Sequence, residues 1–172
     1  METARLLALL KEKPDRELFF DALPQGLDGF GSKLMNAVGF TAGVLQPPVF
    51  DPRLDDAVNF GGIGAVIGHE LTHHFDDQGR KYDAEGNLRP WWSPEDVRRF
   101  HDRAQCFVDE YGRFHTEEGT PLNGKLTLGE KLADNGGLRL SYAALRPSGA
   151  GPRLDGFTPA QRGSSSDALR AG

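Results

Sequence analysis

The sequence predicts a mainly α-helical chain with one small β element, and three observations carry that prediction. Apolar residues recur at helical spacing from about Gly62 to Phe75. Ser93-Pro94-Glu95-Asp96 has the form of a helix start, with Ser93 as N-cap and Pro94 in the first turn. Glu130 and Asp134 stand four apart in Gly129-Glu130-Lys131-Leu132-Ala133-Asp134, so on a helix they share a face.

Taken in order, residues 3–12 read as a short amphipathic helix carrying Leu6, Leu7, Leu9 and Leu10. The stretch from Gly39 to Phe50 predicts one short strand or small sheet near residues 43–50, stopped by Pro47-Pro48. Gly61-Gly62-Ile63-Gly64 imitates a dinucleotide-binding turn, but residues 51–60 are poor strand material and that turn needs a strand before it. The glycines are therefore read as allowing close packing at a helix start. Trp91-Trp92 is expected to anchor the helix that Ser93 opens. The last stretch, rich in Gly, Ser, Ala and Pro, holds only Leu154, Phe157 and Leu169 as large apolar residues and cannot build a core. The expected organisation is a poorly defined segment at 1–35, a core at 36–146 and a flexible tail at 147–172.

Composition narrows the function. In 172 residues, 20 Lys+Arg face 25 Asp+Glu, leaving a net charge of −5, which argues against nucleic acid or an anionic membrane as partner. A single cysteine, Cys106, excludes a disulfide framework and a cysteine-rich zinc module. There is no apolar run of membrane-spanning length, and Met1 to Lys13 lacks the form of a signal peptide.

The chemistry concentrates in Gly68-His69-Glu70-Leu71-Thr72-His73. Residues four apart on a helix aim at one point, so His69 and His73 can direct two imidazoles at one metal ion. Glu70 then reaches a water on that metal rather than the metal itself, the division of labour in H-E-x-x-H. A third protein ligand is required, and Glu130 and Asp134 are the best candidates, one binding the metal while the other orients an imidazole. Spacing alone does not say which does which. His74 points about 100° away from His73 and is not expected to bind. His101 and His115 read as surface or packing residues.

Val66-Ile67-Gly68 before the motif, Phe75-Asp76-Asp77-Gln78-Gly79-Arg80 after it, then Trp91-Trp92, Leu122-Asn123-Gly124 and Thr127-Leu128-Gly129-Glu130 through Asp134-Asn135-Gly136-Gly137-Leu138 recur in an order that resembles the catalytic domain of the neprilysin family of zinc metallopeptidases. The resemblance covers roughly residues 36–146. It implies a thermolysin-like subdomain in which the H-E-x-x-H helix packs on the G-E-x-x-A-D helix. It further implies one zinc per chain on His69, His73 and Glu130, Glu70 as general base, Asp134 orienting His69, and an oligopeptide substrate. Members of that family are usually membrane-anchored or exported.

Departures from the family pattern carry expectations too. Lys131 replaces an asparagine and is accommodated by pointing to solvent. Asn36-Ala37 matches the family's substrate-holding pair, with the strand that should follow it deleted. All five histidines lie at or before 115, so the family's later oxyanion-stabilising histidine is unmatched, a loss worth about 10²–10³ in turnover. Residues 155–162 keep the resemblance and residues 163–170 do not, as expected of a reading-frame change after Arg162. The chain is expected to be the metal-binding middle of a longer peptidase.

Overall fold

The computed structural model describes residues 22–146. The amphipathic helix expected at 3–12 and the tail at 147–172 lie outside the described residues. Within them the chain is mainly helical, with one two-stranded sheet.

Strands β1 (Gly29–Ser32) and β2 (Ala37–Phe40) form an antiparallel hairpin in which Gly29 faces Phe40 and Ser32 faces Ala37. Met35 is buried in its turn, and Asn36 takes a left-handed φ of 48°, a conformation its short polar side chain tolerates. The sheet thus precedes the position expected for it. Residues 43–50 form turns instead, because Pro47 and Pro48 donate no ladder hydrogen bond and Val49 N and Phe50 N both bond back to Gln46 O.

Four helices follow. α1 (Asp56–Asn59) is capped by Asp55, whose carboxylate accepts from Ala57 N at 2.9 Å. It runs through a π-helical turn, Phe60–Gly64, into α2 (Ala65–Thr72), which carries His69 and Glu70. The helical run therefore starts before the glycines, and they sit inside it. Gly62 lies against Val49 O, where a Cβ would come within 2.5 Å. The run also stops short of Phe75, because His73 is already its C-cap and Asp76 draws the chain into a new turn. α3 (Pro94–Tyr111) starts as expected, with Ser93 Oγ accepting from Asp96 N and Pro94 in the first turn. Trp92 packs edge-on against Phe100 at 5.7 Å, so it anchors α3, whereas Trp91 is 47% exposed. α4 (Leu128–Leu145) returns antiparallel to α2.

α2 uses each of its faces differently. Gly64 and Gly68 meet α4 at Ser141 and Gly137, and Thr72 meets Gly136. Val66, Glu70 and His74 face β1, where Gly29 and Gly31 leave room for them. Ile67, Leu71 and Phe75 form a third stripe that is exposed (38%, 45% and 53%).

The α2–α4 contact is made backbone to backbone. A Cβ on Gly137 would fall 2.5 Å from Ala65 O and 2.6 Å from His69 N. Gly137→Ala is therefore expected to force the helices apart and destabilise the fold by about 1–3 kcal/mol or more. Urea denaturation measures it, and an unchanged midpoint would show that the helices do not touch there.

Candidate metal centre

His69 and His73, one turn apart on α2 and its cap, bring their Nε2 atoms to 2.9 Å with ring planes at 85°. Glu130, in the first turn of α4, places Oε2 at 3.4 Å from His69 Nε2 and 3.5 Å from His73 Nε2. The three candidate ligand atoms lie within 4.8 Å of one another.

The outer nitrogens are held by carboxylates. His69 Nδ1 lies 2.9 Å from Asp134 Oδ1, and His73 Nδ1 lies 2.8 Å from Asp76 Oδ2. Since carboxylates only accept, these contacts assign the Nδ1 protons to both rings, and the Nε2 lone pairs then face each other and Glu130. Three lone-pair donors turned inward repel one another unless a cation lies among them, so the donor set fits a divalent zinc ion. Asp76 was not among the residues singled out from the sequence. Its signal was the i, i+3 spacing from His73 on a helix that ends, which lets the carboxylate fold back while accepting from Gln78 N and Gly79 N.

Glu70 lies one residue beyond His69 with its side chain directed into the same cleft of about 660 Å³. It is buried, and Gly31 of β1 sits so close that a Cβ there would be 2.9 Å from Glu70 O and 3.6 Å from Glu70 Oε2. Gly29, Phe30 and Gly31 line this cleft; Asn36 and Ala37 do not. His74 turns away from the Nε2 cluster, as expected, and its Nδ1 donates to Glu70 O at 3.2 Å. Lys131 does not run out to solvent: it is half-buried, with Nζ 4.3 Å from the centre of the Tyr111 ring. Cys106 and His101 are exposed.

A family model described as Peptidase family M13 matches residues 30–163. The chain is 47% identical over 135 residues to endothelin-converting enzyme 1 of Bos taurus, which covers 78% of this chain and 18% of that protein. The chain belongs to peptidase family M13. It is also 46% identical over 150 residues to neprilysin-11 of Caenorhabditis elegans, covering 84% of this chain and 18% of that one. Among solved structures, the zinc metalloprotease ZMP1 of Mycobacterium tuberculosis in complex with inhibitor superposes with a TM-score of 0.81 at 39% identity, over 94% of this chain and 26% of that chain. The chain spans under a fifth of the length of these curated M13 relatives. Among the described residues no helix is long and apolar enough to cross a membrane.

The electrostatics of this M13 site follow from its burial and pairing. Burial pushes the Glu70 carboxyl above the ordinary carboxylate range; Asp28 and Glu130 add to that, and the charges of His69 and His73 oppose it. The Asp76 carboxylate beside His73 raises that imidazole above its ordinary value, against the effect of burial. Burial works against ionised Asp76, yet the hydrogen bonds from His73, Gly79 and Gln78 together hold it below the usual range.

In the metal-free protein the His73–Asp76 pair stabilises the fold most below the ordinary histidine range, and that contribution fades as pH rises through the raised value of His73. On the acid side it fades as pH falls through the depressed value of Asp76. Asp76→Asn is expected to move the His73 midpoint down and to weaken zinc binding by about 10–100-fold. NMR titration of the metal-free protein reads the first effect and chelator competition the second; an unmoved midpoint would refute the contact.

Proposed function

We propose that this chain is the metal-binding part of a zinc-dependent endopeptidase that hydrolyses peptide bonds of oligopeptides. One observation carries the reading: His69, His73 and Glu130 converge from two helices while Glu70 lines the same cleft beside them. His69, His73 and Glu130 hold one zinc ion; Asp134 and Asp76 orient the two imidazoles. Zinc bound there supplies a Lewis acid for the scissile carbonyl and a water acidic enough to ionise near neutral pH.

Glu70 moves the protons. Its carboxylate accepts a proton from water and gives it to the leaving amine. The extended substrate lies along β1, whose Gly29, Phe30 and Gly31 line the cleft, rather than along Asn36 in the hairpin turn and Ala37 at the start of β2, which do not line it. The working segment is residues 36–146 together with β1.

A second reading rests on the same cluster, since His69, His73 and Glu130 can hold a metal ion whether or not peptide is turned over. In that reading the chain binds zinc and turns over peptides poorly or not at all. Elemental analysis with cleavage of a mixed peptide library separates the two. The endopeptidase reading expects one zinc per chain in wild type and Glu70→Gln alike, with cleavage lost by about 10²–10⁴ in the variant. One zinc without wild-type cleavage selects the second reading, and no zinc removes both.

A further inference from the structure

Glu130 is the member of the donor cluster that does not come from the motif helix and its cap, and among the described residues no side chain is seen to hold its carboxylate from outside the cluster. Its side chain is 65% exposed, and it sits in the first turn of α4. That turn lacks a side-chain cap, since Thr127 makes no cap hydrogen bond to it. Thr127 is tied backward instead, with its backbone N and Oγ1 both bonding to Asn123 O. Leu128 is buried and Gly129 lies against Asp76 and Asp77 in the turn after α2, while the close backbone approach of α4 to α2 comes further along, at Gly136 and Gly137.

The next residue supplies what the cap does not. Lys131 Nζ stands 4.3 Å from the centre of the Tyr111 ring, well inside cation–π range, and both side chains are half-buried, which strengthens the attraction. Tyr111 is the last residue of α3 and is braced edge-on by Phe114 at 5.5 Å. An ammonium group in the first turn of a helix opposes the positive end of the helix dipole, so the dipole does not hold Lys131 there. The ring does.

We propose that the Lys131–Tyr111 contact is a strut that positions Glu130 against His69 and His73. It ties the uncapped first turn of α4 to the end of α3 and so fixes where Glu130 enters the cleft. Lys131 itself diverges from Glu130 by about 100° around the helix and touches none of the other donors. It is a positioning residue, and the inference rests on the zinc reading of the cluster.

Zinc affinity, measured by chelator competition on the full chain, tests it. Lys131→Met and Tyr111→Leu are each expected to weaken zinc binding roughly three- to tenfold, the effect a cation–π contact of this exposure supplies. The double variant is expected to be no weaker than either single one, because both remove the same contact. Lys131→Arg and Tyr111→Phe keep a cation and a ring, and are expected to stay within about twofold of wild type. The visible spectrum of the cobalt-substituted protein is expected to change in the first pair only. Unchanged affinity in both Lys131→Met and Tyr111→Leu, additive losses in the double variant, or failure of Lys131→Arg to preserve affinity would overturn the strut while leaving the zinc reading in place. Circular dichroism of the metal-free variants shows that each is folded. If wild type holds no zinc, or His69→Ala holds it as well as wild type, the zinc reading itself falls and takes the strut with it.

Discussion

The close approach of α2 and α4 is the constraint on which the rest depends. Gly68 and Gly137 let the two backbones touch, and the four-residue period of each helix then decides what meets across the contact. With Gly68 against Gly137, the neighbouring stripes put His69 and His73 on the same side as Glu130 and Asp134. A larger residue at the contact would move the carboxylates away from the imidazoles as a block. The distances of 2.9 Å and 3.4 Å at His69 are consequences of a packing choice made one residue away on the helix.

Much of this was legible in the sequence because helical spacing converts directly into shared faces. His69 with His73, and Glu130 with Asp134, could be paired from their numbers alone, and the structure places all four together. Where helical period stops, legibility stops. The hairpin was misplaced because Gly29, Gly31 and Gly39 carry no side chain from which to read alternation, whereas Val44, Leu45 and Val49 looked more like strand residues and fold as turns. The partner of His73 lay in a turn after the helix end, and the direction of a turn is set by hydrogen bonds such as Asp76 to Gly79 N, which no periodicity announces. The role of Lys131 escaped because it depends on where the end of α3 lies, a contact between elements that are distant in sequence.

The second layer of the site has a common design. Each imidazole has one nitrogen turned in and the other fixed by a carboxylate, and the two carboxylates come from different places, Asp134 from α4 and Asp76 from the turn that ends α2. One ring is thereby tied to tertiary packing and the other to local chain geometry. A change in helix spacing disturbs His69 first, and a change in the turn disturbs His73 first. Glu70 is seated differently, with burial against β1 setting its surroundings and the charges of His69, His73 and Glu130 acting on it across the cleft.

Ile67 and Leu71 stand on the side of α2 turned away from His69 and His73, because each residue step rotates by about 100°, and Phe75 in the turn that follows is exposed as well. One short helix therefore has a polar front and an oily back, both open to water. Colloidal behaviour follows from that arrangement more than from composition. The net charge of −5 keeps molecules apart through a repulsion that salt shortens to about 8–10 Å, while the attraction between oily backs is untouched by screening. In concentrated solution, ionic strength governs which of the two a neighbouring molecule meets first.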